Sequence, residues 1–244
     1  MPLLLCHCAS TQGRGPQESR GERLGRQLTQ EIAEIMATNH VYETAVPLLQ
    51  EGIAEDPNNP RLHRLLGMVL RDRGVYDQAL TELQAAWRLG PDSPDTAAAL
   101  GILYDSTDRH EAAELWHRYA LDLAPRRADF YNNLGFSLYL QERDSEAMVT
   151  FKEALRYNPN QARAFNNLGF TYFRLGERQL AMQSFMQAGS RAMAMANMGV
   201  AHELAGELDG AKQAYKDALR IDKRLDVARK NLASLSQKIH TPSP

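Results

Sequence analysis

The sequence predicts an all-α fold, a superhelix of about six helix pairs closed by a terminal helix. Three observations predict it. Gly67, Gly101, Gly135 and Gly169 recur at a constant step of 34 residues, each behind a leucine (Leu66, Leu100, Leu134, Leu168). Ala79, Ala113, Ala147 and Ala181 keep that step, as do Ala86, Ala120, Ala154 and Ala188, and so do Pro57, Pro91, Pro125 and Pro159. The composition agrees: 43% of the 244 residues are hydrophobic but only 7% are aromatic. Such a core rests on Ala and Leu, which suits close-packed helices better than a β-sandwich.

Each element follows from its place in a 34-residue unit counted from Pro60 as position 1. Positions 4, 7, 8 and 11 are His63-Leu66-Gly67-Leu70, then Ala97-Leu100-Gly101-Tyr104, Tyr131-Leu134-Gly135-Leu138 and Phe165-Leu168-Gly169-Tyr172. At about 100° per residue these fall on one stripe of a first helix. The glycine lets a neighbouring helix approach its backbone, and that contact must outweigh the roughly 1 kcal/mol that Gly costs inside a helix. A second helix carries small and aromatic residues at positions 20, 24 and 27, as in Ala147-Phe151-Ala154 and Ala181-Phe185-Ala188. The proline at position 32 ends it and opens the turn. Neither helix can bury its stripe alone, so neighbours must stack.

The units run near 26–59, 60–93, 94–127, 128–161, 162–191 and 192–225, with a capping helix over 226–239. The first is degenerate, with Ala33 where Gly is expected but Ala45, Leu49 and Pro57 in step. The sixth, with Met195, Met198, Gly199, Ala211, Tyr215 and Ala218 in place, arrives four residues early, since Gly169 to Gly199 is 30. The fifth unit must therefore have a shortened second helix or turn. Met182, Met186, Met193, Met195 and Met198 gather at that joint, as filler for an irregular gap or as an adaptable surface.

This pattern resembles the tetratricopeptide-repeat (TPR) family over residues 26 to about 240, most closely over 60–191. The resemblance implies a right-handed α-α superhelix whose first helices line a concave, peptide-binding groove. On those helices, positions 2, 5, 9 and 12 form a second stripe turned away from the core, with position 6 at its edge. In the fourth unit these are Asp129, Asn132, Phe136 and Tyr139, with Asn133 at position 6; in the fifth they are Arg163, Asn166, Phe170 and Phe173, with Asn167. Asn197 holds position 6 of the sixth.

Five of the eleven asparagines thus sit at two positions, although Asn is a mediocre helix former. An amide can pair with both the C=O and the N–H of an extended peptide. Asn132, Asn133, Phe136, Tyr139, Asn166, Asn167, Phe170, Phe173 and Asn197 are therefore the candidate partner groove, and Asn133, Asn167 and Asn197 resemble the asparagine ladder of some TPR grooves. The competing reading has the amides bonded within the array and Phe136 and Phe170 packed beneath it. Arg61, Arg64 and Arg71 of the second unit are a candidate contact for the acidic end of a ligand, or else a solvated face. The two-carboxylate clamp of TPR cochaperones needs lysines and asparagines in an arrangement this chain lacks, so a chaperone tail is not the expected ligand.

Little in the sequence suggests catalysis. His63, His110, His117 and His202 are spread along the array without a second His or Cys at metal-ligand spacing, and His63 and His202 fall on the core stripe. There is no Gly-rich phosphate loop, nucleophile elbow or paired-carboxylate motif. The expectation is a non-enzymatic binding scaffold with no cofactor and no metal. Lys+Arg total 28 against Asp+Glu 30, a net charge of -2, which argues against a nucleic-acid binder. No apolar run is long enough to span a membrane.

The N-terminal 1–25 reads as a flexible tether, low in apolar residues beyond its opening MPLLLCHCAST. That opening resembles the end of a bacterial lipoprotein signal, with Cys8 the first candidate for lipidation and Cys6 the second. His7 stands where a small residue is expected, and Leu3-Leu4-Leu5 is shorter than a working apolar segment. The alternatives are a start upstream, a trimmed chain, a Cys6-His7-Cys8 metal site, or an end without such a role. Anchor, tether and array together resemble the TPR lipoproteins of pilus assembly, the TadD type of the tight-adherence (Flp) pilus and the type IV pilus pilotins. That resemblance implies a monomer on the periplasmic side of the outer membrane that assists a secretin or another assembly component. A cytosolic TPR adaptor or regulatory subunit is the alternative.

Overall fold

The computed structural model describes residues 40–240 together with Glu31, Ile35 and Met36, and the side chains up to residue 237. The tether over 1–25 and the candidate lipidation residues Cys6 and Cys8 lie outside the described residues. Among those residues there are twelve helices and no strand. Five complete pairs occupy the middle: α2 (Pro60–Asp72) with α3 (Tyr76–Leu89), α4 (Pro94–Asp105) with α5 (His110–Leu123), α6 (Ala128–Leu140) with α7 (Asp144–Tyr157), α8 (Ala162–Arg174) with α9 (Arg178–Ala188), and α10 (Arg191–Leu204) with α11 (Leu208–Ile221). Before them stands α1 (Tyr42–Glu55), and α12 (Asp226–His240) follows them.

Turn chemistry starts the first helices where the period places them. Pro60 opens α2, and the Asn59 side chain accepts from the backbone N–H of Arg61 and Leu62. Pro94 opens α4 behind Ser93, whose hydroxyl accepts from Thr96 N–H. Proline at the first helical position loses no hydrogen bond, because that N–H has no partner inside the helix. Within repeats two, five and six the turn between the paired helices passes through Gly74, Gly176 and Gly206 at positive φ. In repeats three and four Asp108 and Glu142 carry positive φ at the corresponding bend. The second helix α9 has 11 residues where α7 has 14, which accounts for the four-residue shortening of the fifth repeat together with its brief Gly189-Ser190 link.

The glycine column marks a close contact in each of the five pairs. A Cβ built on Gly67 would meet Leu83 Cγ at 2.7 Å, on Gly135 Phe151 Cε1 at 2.7 Å, and on Gly169 Phe185 Cε1 at 2.5 Å. The alanines at position 20 (Ala79, Ala113, Ala147, Ala181, Ala211) are completely buried. Large side chains at position 24 can sit flat on the first helix only because these positions are small.

The stacking is asymmetric. Backbones of successive first helices approach within 8 Å, α2 with α4, α4 with α6, α6 with α8 and α8 with α10, whereas among the described residues no such approach joins successive second helices. An array whose first helices converge while its second helices splay must curve toward the first helices. Their free faces therefore line the inside of the bend.

Candidate functional site: a polar cavity on the inner face

An open cavity of about 350 Å³ lies on that inner face, across the first helices of repeats three, four and five. From α6 come Asn132, Asn133 and Phe136; from α8 come Arg163, Asn166 and Asn167. The third repeat closes it with Ile102, Asp105 and Ser106 at the end of α4 and His117 from α5. Five of the sequence-predicted groove residues are thus brought together. Arg61, Arg64 and Arg71 are not. They lie on α2, outside the cavity, where Arg71 is held by Asp72 at 2.6 and 2.8 Å and Arg64 Nη1 points at Met68 Sδ.

The asparagines form a ladder, and its first partner is itself. Asn167 Nδ2 donates to Asn132 Oδ1 at 2.9 Å, and Asn197 Nδ2 donates to Asn166 Oδ1 at 2.8 Å. Each bond joins position 6 of one repeat to position 5 of the one before, so the amides pin successive first helices together. This pairing consumes one nitrogen hydrogen at position 6 and one oxygen at position 5. Each amide has further capacity, since it carries two N–H donors and an oxygen with two lone pairs. The Asn133 side chain forms no hydrogen bond among the described residues and keeps its whole amide for the cavity.

Position 12 behaves differently from positions 5 and 9, and here the outward stripe needs correction. Phe173 is only 4% exposed, packed edge-to-face on His202 of the next repeat at 4.8 Å with Arg178 over its ring. Tyr139 lies under the guanidinium of Arg174, which also donates to the Tyr139 carbonyl and pairs with Asp144. Asp105 is bonded to Ser137 of the following repeat. Position 12 closes the last turn of the first helix, where the next repeat crosses, so Tyr139 and Phe173 are joints between repeats and not groove wall, while Asp105 both makes such a joint and lines the cavity. Phe136, at position 9, is 41% exposed and does face the cavity; Phe170 is half-buried against Phe185.

The floor of the cavity is the part that sequence reasoning missed. Asp105 Oδ2 accepts from His117 Nε2 at 3.0 Å, and its Oδ1 accepts from His110 Nδ1 at 3.0 Å and from Ser137 Oγ at 2.9 Å. His110 and His117 both belong to the third repeat and converge on one carboxylate, instead of standing apart. His117 occupies position 24, where the other repeats place Leu83, Phe151, Phe185 and Tyr215, and it is completely buried against Gly101. The carboxylate on Nε2 fixes the ring proton there, and Nδ1 is sealed without a partner. His63 is held by Glu82 and the Pro57 carbonyl, and His202 by Glu207, so both are bonded side chains of the helix-pair interface.

This floor has no activated nucleophile. Ser137 is buried and bonded to the Asp105 carboxylate and the His110 carbonyl, not to an imidazole that could take its proton. Among the described residues, no group of three His, Cys, Asp or Glu side chains could hold a metal ion. No described helix is long and apolar enough to cross a membrane.

Outside the cavity lining, Arg127 bridges Asp95 of the third repeat at 3.0 Å and Asp129 of the fourth at 2.7 Å. Burial alone would raise the Asp129 carboxyl, but the Arg127 hydrogen bonds and charge outweigh it and hold the group below the usual carboxylate range. Arg163, at position 2 of the fifth repeat, has no acidic partner like Asp95 or Asp129, and its side chain forms no ion pair or hydrogen bond among the described residues.

The repeat units agree with known families. Residues 39–101 and 191–225 each match a family model described as Tetratricopeptide repeat, and residues 137–176 match one described as TPR repeat. The chain carries tetratricopeptide repeats. Among solved structures, the TPR array is similar to PilF of Pseudomonas aeruginosa, with TM-score 0.66 and 18% identity over 88% of this chain and 100% of that one. PilW, described as a widely conserved type IV pilus biogenesis factor, superposes with TM-score 0.70 and 18% identity over 85% of this chain and 98% of its own. MamA from Desulfovibrio magneticus RS-1 gives TM-score 0.56 and 20% identity over 67% of this chain and 92% of that one. At such identities the likeness is one of fold. A comparison with curated proteins finds no match.

Proposed function

We propose that this TPR scaffold holds an extended segment of a partner protein along the inner face of repeats three to six, and that it serves the assembly of a pilus. The observation that carries the reading is the cavity, where the Asn133 amide, the hydrogen-bonding capacity left over from the asparagine ladder, Arg163 and the exposed face of Phe136 converge on one side of the stack. Amides read a backbone and an aromatic anchors a side chain, the usual division of work at a peptide-binding surface. The TPR family is in general one of non-catalytic scaffolds, consistent with a floor that has no activated nucleophile.

The pilus assignment is supported by likeness to PilF and PilW across nearly the whole of those chains. By the sequence resemblance, the finer proposal is a lipoprotein anchored through Cys8 at the periplasmic side of the outer membrane, acting on a secretin, as in the tight-adherence (Flp) system. A lipid anchor on a tether would leave the array free to engage a partner. Two measurements test this. In a pull-down from the native host, Asn167→Ala and Phe170→Ala should each weaken capture of the partner; unchanged capture by both sinks the groove. Metabolic palmitate labelling should be lost with Cys8→Ser; absence of label in the unaltered protein removes the anchor and favours a cytosolic adaptor.

A further inference from the structure

The geometry points to a specific ligand chemistry for the cavity: an extended peptide carrying a carboxylate (Asp, Glu or a chain terminus) next to an apolar side chain, with the carboxylate on Arg163 and the apolar group on Phe136. The inference rests on the groove reading above and adds what the groove selects.

Two independent observations converge on it. The first is hydrogen-bond capacity. The ladder bonds run from position 6 to position 5, so the oxygens of Asn132 and Asn166 are engaged while their nitrogens are not. Neither nitrogen is sealed from solvent. With the amide of Asn133 and the guanidinium of Arg163, the unfilled groups on the wall are mostly N–H donors, and they call for acceptors such as carbonyls and carboxylates.

The second is charge. The two acids at the neighbouring position-2 sites, Asp95 and Asp129, already share Arg127. Asp105 on the floor is nearly buried and carries three donors. Asp105, the acid in the cavity lining, and the two acids at the neighbouring position-2 sites outside it are therefore committed within the protein, and Arg163 is left as the uncommitted charge of the lining. A guanidinium presents a planar fork that a carboxylate matches with two hydrogen bonds. Phe136 is one turn from Asn132 and Asn133 on the same helix, so an apolar residue beside the acidic one would meet its ring.

The test is selection of a displayed library of random twelve-residue peptides on the purified full chain, followed by binding of the enriched peptides in solution. The expected result is enrichment of Asp or Glu within two residues of a large apolar side chain. Affinity should fall about tenfold on Arg163→Ala, and about as much when the peptide's acid is replaced by its amide, with the two losses not additive. Arg163→Glu should shift the enriched set toward Lys and Arg. Thermal unfolding reports that these variants fold, since Arg163 is exposed and unpaired. A photo-reactive phenylalanine in place of Phe136 should cross-link the bound peptide. Peptides that cross-link there but carry no acidic bias, or that are indifferent to Arg163, overturn this inference and leave the groove standing. If no peptide is enriched, or none cross-links at Phe136, both fall.

Discussion

Repeats three and four occupy the same period and solve the same packing problem differently. In the fourth, Phe151 lies on Gly135 and Tyr139 closes the joint to the next repeat under Arg174. In the third, His117 lies on Gly101 at the same position and Asp105 closes the joint, tied to His110, His117 and Ser137. The sixth repeat follows the third: Tyr215 at position 24 donates to Glu203 at position 12 at 3.0 Å. Burial and that bond both push the Tyr215 hydroxyl well above its ordinary value. The glycine and alanine columns set the distance between helices, and any flat side chain of the right size can fill it. Whether it is polar decides what position 12 must be. A histidine at position 24 draws a carboxylate inward, and in the third repeat that carboxylate becomes the floor of the cavity.

The largest effect should come from breaking what the two repeats share. Gly101→Val and Gly135→Val each put a branched side chain where His117 or Phe151 lies within 3 Å, and overpacking a rigid ring contact should cost about 3 kcal/mol in either repeat. Urea denaturation measures it, and a loss in one repeat only would show that the contacts are not equivalent. Asp105→Ala strikes the third repeat and its joint to Ser137 of the fourth. It leaves His117 Nε2 buried and unpaired and should cost about 2 kcal/mol by the same measurement. Asn167→Ala removes one ladder bond from a half-buried site and should cost about 1 kcal/mol, with its larger consequence in partner binding. His117→Phe makes the third repeat like the fourth at position 24. It removes the orphaned Nδ1 and one of three donors to Asp105, opposing changes that should leave stability within about 1 kcal/mol.

The fold was legible because its causes repeat. Gly67, Gly101, Gly135 and Gly169 are needed for one reason in four places, so a column reveals it. Asn132, Asn133, Asn166 and Asn167 were legible as a group for the same reason, although their pairing with each other was not, because a period says which residues share a position and not which positions meet across repeats. Phe173 and Tyr139 were read outward because they lie on a helical stripe with Phe170 and Phe136. A stripe describes an isolated helix, and its last turn is where the next repeat crosses. Sequence reasoning does not single out Asp105, and weighs His117 only as a metal ligand, for the opposite reason: His117 departs from the Leu, Phe and Tyr of its column, position 12 has no common residue, and the two matter only as a pair. The methionine cluster divides, with Met182, Met195 and Met198 packed against the core and Met186 and Met193 partly exposed at 49% and 37%.

The central claim is that the inner face, and not the outer one, holds the partner. Photo-cross-linking in the native host from a reactive residue at position 136 tests it most directly, with exposed Val149 on the second helix α7 as the opposing site. The account predicts a discrete cross-linked product from position 136 and none from position 149. A product from 149 alone would contradict it.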